Sequence, residues 1–269
     1  MTSSTLGQRT RTGLLHLTFE QQRGKTVLTR DLQKAPLMII RPFELPCGTL
    51  MVFVVNPTGG VLGGDHSEIV AEVGAGARVL ILTQSATRLQ PSPSGAVATQ
   101  DIRFTVASGG RLEYYPERTI PFAGSAFHQT LRADFQDGAE LGLTETLASG
   151  RVQMGERLAF AEYRSRVEIW RGGERLYLDH LRLKPTESTR APGIWSDWDY
   201  AASGVWVGAG ELADWPAVPS QLACGHTAGG AVWLRAAAAR GPTLDRELTA
   251  ARESLRAQLF GARPLQVRR

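Results

Sequence analysis

The sequence predicts a mainly β fold: a β-helix-like stack of strand-turn-strand repeats, with a few α-helical segments in the C-terminal part. Three observations carry this expectation. First, a unit of strand, small-residue turn and strand recurs at residues 73–79, 106–112, 135–141 and 170–176, and its marker glycines Gly76, Gly109, Gly138 and Gly172 are 33, 29 and 34 residues apart. A near-constant period of that size is the mark of stacked units, each with an apolar face that only its neighbour can bury. Second, alternating and branched apolar segments dominate up to about residue 183, punctuated by turns of Gly, Ser, Asp and Asn. Third, clear helical spacing shows near the end, at Leu244, Leu248, Ala251, Leu255 and Leu259.

Taken in order, residues 1–12 are polar and read as a flexible tail, and residues 13–269 as a single β-rich domain, with the repeat body at about 13–183 and a Trp-rich, helical part at 184–269. Leu15, Leu17 and Phe19 alternate with His16, Thr18 and Glu20, the pattern of a half-buried strand, and residues 22–25 turn the chain into the next one. The runs 37–40 and 50–55 are continuously apolar and read as strands covered on both faces. Further strands are expected at 69–73, 78–83, 102–106, 112–115, 131–135, 141–146 and 166–170, with 90–95 as an exposed, mobile loop. Trp195, Trp198, Trp206, Trp215 and Trp233 follow, and core burial is the commoner fate of such rings. Pro242 and Thr243 can open the last helix and Gly261 can end it.

Bulk properties narrow the function. The net charge of +4 is spread along the chain, only three of the thirty basic residues are lysine, and no run of four basic residues occurs, so nucleic-acid binding is not expected. The longest apolar run, 50–55, is far too short to span a bilayer, and the N-terminus lacks the apolar stretch of a signal peptide, which points to the cytoplasm. Cys47 and Cys224 lie far apart without zinc-site spacing and read as buried free thiols.

The densest glycine cluster holds Gly59, Gly60, Gly63 and Gly64. The first and last have phosphate-loop spacing, but Asp65 stands where that motif needs lysine and its carboxylate repels phosphate, so these glycines read as structural turns with positive φ. Asp65, His66 and Glu68 do not make a complete metal site, because Asp65 and Glu68 fall on opposite faces of one strand. Asp179-His180 and Cys224-Gly225-His226 supply at most two ligands each. The carboxylates Glu113, Glu117, Glu145 and Asp179 lie in or beside strands, where they either pair with arginines such as Arg111, Arg118 and Arg151 or, in an alternative reading, serve a β-helical carbohydrate-active enzyme as paired acid and base. No catalytic triad can be built from five scattered histidines, and the protein is not expected to be an enzyme.

An ordered series of motifs resembles the urease accessory protein UreD family, called UreH in some organisms. It comprises Asn56-Pro57, Gly59-Gly60 and Gly63-Gly64-Asp65, then Thr83-Gln84-Ser85-Ala86-Thr87-Arg88, then Leu112-Glu113-Tyr114-Tyr115-Pro116-Glu117 with Ile120 and Phe122, and continues through Glu145, Gly150-Arg151, Gly155-Glu156, 166–170 and Leu181-Arg182-Leu183. Thr58, Ser85, Arg88 and Thr144 depart from the family's usual proline, glycine, lysine and tryptophan. The resemblance implies a non-enzymatic scaffold with a β-helix-like body that binds apo-urease and the accessory protein UreF, which recruits the GTPase UreG, and that helps deliver nickel to the urease active site. No tightly bound cofactor is implied, only transient Ni2+. Asp65, Glu113, Glu117 and Glu145 match family positions and are the candidates for a polar internal nickel path or for interface pairing.

Overall fold

The computed structural model describes residues 10–192, 194–214 and 222–267, apart from the side chain of Glu187. Trp215 and most of the expected N-terminal tail lie outside the described residues. The chain begins with the hairpin β1 (Thr12–Gln22) and β2 (Lys25–Lys34), followed by the short strands β3 (Met38–Ile39) and β4 (Phe43–Glu44) and by β5 (Leu50–Val55). Three similar coils come next. The first holds β6 (Val61–Leu62), β7 (His66–Val73) and β8 (Arg78–Thr83); the second holds β9 (Thr87–Gln90), β10 (Ala98–Val106) and β11 (Arg111–Tyr114); the third holds β12 (Thr119–Pro121), β13 (Ala126–Phe135) and β14 (Glu140–Ala148). The body closes with the hairpin β15 (Glu162–Arg171) and β16 (Glu174–Leu183), then β17 (Tyr200–Val207), β18 (Leu222–His226), β19 (Val232–Ala238) and the helix α1 (Gly241–Phe260).

The result is a β-solenoid of about four turns. One sheet has the order β16-β15-β13-β10-β7-β1-β2, with β1, β7, β10, β13 and β15 parallel; the other runs β18-β19-β17-β14-β11-β8-β5-β3, with β5, β8, β11 and β14 parallel. Short strands β6, β9 and β12 form a third parallel ladder. Register pairs His66 with Thr99, Thr99 with His128 and His128 with Arg164, giving coil steps of 33, 29 and 36 residues. The marker glycines Gly76, Gly109 and Gly138 all have φ between 71° and 75° and turn the chain from one sheet to the other. These corners bond layer to layer, as in Gly109 N–H to Gly138 O at 3.2 Å and Glu140 N–H to Gly110 O at 2.9 Å.

Several details differ from expectation. The fourth repeat, around Gly172, is an antiparallel hairpin, so β16 folds back beside β15 and the coiling stops there. Residues 37–40 are not covered on both faces: only Met38–Ile39 is a strand, and Met38 and Ile40 are exposed where β3 forms the edge of its sheet.

Parity along the strands sorts the side chains. Leu15, Ile69, Ile102, Leu131 and Val167 form one inner rung of the first sheet and face Val52, Val79, Ile81, Tyr114 and Leu143 of the second across the main core. The opposite parity of the second sheet puts Met51, Leu80, Leu82, Tyr115 and Trp206 under α1, whose Leu244, Leu248, Ala251, Leu255 and Leu259 are buried as their spacing requires. Pro242 sits in the first turn of α1 and Gly261, at φ 56°, ends it. Trp195 and Trp206 are core residues, whereas Trp198 and Trp233 are half-buried. Cys47 and Cys224 are free thiols but half-buried, because both lie at the margin of the cluster beneath α1.

Candidate functional site

Along β7, β10 and β13 the inner face of the first sheet is apolar except on one rung, which Ser165 of β15 continues, and Asp179 of β16 adds a further polar group beside Val167. Ser67, Gln100, Gln129 and Ser165 are in register on β7, β10, β13 and β15, and all four point inward, which draws a polar seam along the solenoid axis. Gln100 donates to Ser67 Oγ at 3.0 Å, and Gln129 donates to Ser165 Oγ at 3.3 Å. The apolar walls leave these groups few partners besides one another, so they bond along the stack.

Facing the seam, β14 presents Glu145 on its inner side. Gln129 Nε2 donates to Glu145 Oε1 and Ser165 Oγ to Glu145 Oε2, the latter at 3.2 Å. Enclosure by protein lifts the Glu145 carboxyl above its ordinary value, the bonds from Gln129 and Ser165 pull it back, and nearby Asp179 pushes it further up. The surface that Glu145 retains faces two cavities that meet at this residue and Thr146. One, of about 140 Å³, is also lined by Asp65, His66, Gln100, Glu117 and Gln129; the other, of about 480 Å³, by Ser165, Asp179, Ser203 and Arg235.

Three of the four candidate carboxylates, Asp65, Glu117 and Glu145, therefore line one cavity. Asp65 caps the entry to β7: its two oxygens accept from the backbone N–H groups of Arg11 and Leu62, both at 3.0 Å, and Arg11 Nη2 lies 3.4 Å away. His66 Nδ1 is 2.8 Å from Thr99 Oγ1, while Glu68 turns outward to Arg103, so the three do not converge. Glu117 stands where β11 leaves the sheet, its N–H donating to Thr83 Oγ1 at 2.8 Å. Glu113 is separated from the others by parity. It faces α1, where Arg256 Nε contacts both its oxygens at 2.9 Å and Tyr115 donates to it at 3.2 Å.

Gly60 of the glycine cluster lines this cavity. Gly60 and Gly64 adopt positive φ, a Cβ on Gly60 would lie 2.5 Å from Arg88 O, and one on Gly63 would lie 2.3 Å from Ala96 O; Gly59 has open space around it and ordinary φ. Arginine pairing of carboxylates is pervasive, but the partners differ from those expected. Arg111 binds Glu140, Arg118 binds Asp245 and Arg151 binds Glu156, because each reaches across its own corner or to α1. Sequence reasoning missed the Ser67-Gln100-Gln129-Ser165 seam and Arg235. The seam had a signal: a polar residue at one fixed position of every coil. Among the described residues no group of three or more His, Cys, Asp or Glu side chains is arranged to hold a metal ion.

Comparison with known proteins points to one family. The family model described as "UreD urease accessory protein" matches residues 11–269. A urease accessory protein UreD of Deinococcus radiodurans is 62% identical over 273 residues, covering 100% of this chain and 98% of that protein. The UreD of Herpetosiphon aurantiacus is 34% identical over 78% of this chain and 74% of its own length, and that of Acetivibrio thermocellus 35% identical over 70% and 72%. A match across nearly the whole chain, with the ordered motifs placed on successive coils of the solenoid, shows that this chain belongs to the UreD family of urease accessory proteins.

Proposed function

We propose that this protein acts in urease maturation as a cytoplasmic scaffold, residues 13–269 serving as one body that binds apo-urease and UreF and, through UreF, UreG, and that nickel passes along its polar seam. The observation that carries the nickel reading is the position of Glu145, an enclosed carboxylate at the junction of two cavities with Asp65 and Glu117 further along one of them. A conduit needs groups that bind a divalent ion weakly enough to release it, and dispersed carboxylates with amide and hydroxyl neighbours do this where a complete His/Cys cage retains the metal. Glu113, locked to Arg256, serves in this reading to hold α1 in place.

The carbohydrate-enzyme alternative draws little support. A sugar cleft calls for aromatic platforms and two facing carboxylates free to act; Tyr114 lines the cavity of Asp65 and Glu117, and Tyr163 and Trp195 line that of Glu145 and Asp179, but there Asp179 is paired with Arg235 at 2.6 Å. No helix among the described residues is long and apolar enough to cross a membrane.

The test is co-expression of the urease subunits and the other accessory proteins with and without this chain, followed by nickel content and ureolytic activity of the purified urease. Loss of both without the chain, and their return when it is restored, supports the role. Glu145→Ala should lower nickel content while leaving UreF binding intact; unchanged nickel content in that variant removes Glu145 from the path.

A further inference from the structure

The cavity on the Asp179 side of Glu145 ends at an unusual contact. Arg235, on β19, places Nη2 2.6 Å from Asp179 Oδ1 on β16, and its Nη1 donates to Tyr177 Oη at 3.3 Å. Asp179 is largely shielded from solvent, whereas Arg235 is nearly half exposed, its side chain at 44%. The reason is that Arg235 belongs to two spaces at once. It lines the inner cavity with Glu145 and Asp179, and it also lines an outer groove of about 540 Å³ between β16 and β19, beside Tyr177, Trp233 and Arg175. A long side chain in that position has room on the outer side into which its head group can swing.

We propose that Arg235 is an autoinhibitory latch on this end of the seam. Latched, its guanidinium neutralises Asp179, so that this carboxylate does not draw a divalent cation into the cavity. Swung into the outer groove, it leaves Asp179 bare beside Glu145, so that two carboxylates face one cavity and attract the cation. The cationic head group is closer to solvent than the carboxylate it neutralises, so contact at the outer face can reach the latch without entering the seam. This inference rests on the cargo reading above and adds its regulation.

Nickel binding by the full-length protein, measured by equilibrium dialysis of Ni2+, tests the latch. Arg235→Gln should bind Ni2+ about tenfold more tightly than wild type, since loss of the guanidinium leaves Asp179 uncompensated within one enclosed cavity. Adding Asp179→Asn to Arg235→Gln should return binding to the wild-type level or below. Arg235→Met, which keeps the apolar stem, should repeat the gain, and melting curves identify which variants are folded. Binding by the folded variants equal to or weaker than wild type, or a gain that survives Asp179→Asn, overturns the latch. The two proposals fail separately: if urease acquires nickel without this chain, the maturation role falls whatever the dialysis shows; if the chain is required but the variants bind like wild type, only the latch falls.

Discussion

Glu113→Gln tests how α1 is held on the solenoid. Glu113 and Arg256 are 0% and 1% exposed, and a buried chain of donors runs from Trp206 to Tyr115 to Glu113, with Arg256 closing it from the helix. Arg256 also reaches Thr49 Oγ1 at 3.3 Å, but its Nη1 already has no hydrogen-bond partner. Gln has nearly the shape of Glu, so no cavity opens; what changes is that a buried guanidinium loses its counter-charge. Breaking a buried pair in this way costs about 3–5 kcal/mol, which for a chain of this size lowers Tm by about 10 °C. Urea titration of wild type and Glu113→Gln, followed by tryptophan fluorescence, measures the cost. Replacing both partners, Glu113→Leu with Arg256→Met, should cost less than the single change because no unpaired charge remains. A Glu113→Gln variant within about 1 kcal/mol of wild type, or a double variant as unstable as the sum of its singles, would refute the reasoning.

Three other outcomes follow from the cavity walls. Glu145 has a raised carboxyl pKa in the folded state, so the folded form takes up its proton first on acidification. The stability this contributes is present below about 4.3, the value of an exposed Glu, and is lost as pH rises through the raised folded value; Glu145→Gln should therefore gain stability relative to wild type as pH rises from acid toward neutral, and a pH-independent difference in denaturant midpoints would contradict this. Gly60→Ala should cost about 2 kcal/mol or more through positive φ and the close Arg88 carbonyl, while Gly59→Ala should stay within about 0.5 kcal/mol; comparable losses in their thermal melts would count against the turn geometry. Asp65→Asn leaves one acceptor oxygen where the carboxylate serves two backbone donors, at a cost of about 1–3 kcal/mol, and hydrogen exchange should quicken at the Arg11 and Leu62 amides.

Much of the solenoid was legible because its causes are local. The alternation of Leu15, Leu17 and Phe19 is a single-strand property, the helix at 244–259 is written in its spacing, and the glycine corners need positive φ wherever the chain turns. The candidate site was legible only in part. Asp65 and Glu145 were singled out from the family series, but whether a carboxylate faces the seam or α1 depends on strand parity across a sheet, and on that count Glu113 parts from the other three. Arginine partners were misassigned because an ion pair is set by proximity in space: Arg256 lies 143 residues from Glu113.

The sequence by itself therefore determined a stacked β architecture of nearly constant period, its glycine corners, its closing helix and the family to which it is similar, because each is set by residue pattern within one coil or by an ordered run of motifs. Tertiary structure alone decided where the stack stops, which arginine meets which carboxylate, and that Ser67, Gln100, Gln129 and Ser165 join into one polar seam ending on Glu145. Those outcomes depend on register between coils about thirty residues apart, and register is settled only when the apolar faces of the coils pack against one another.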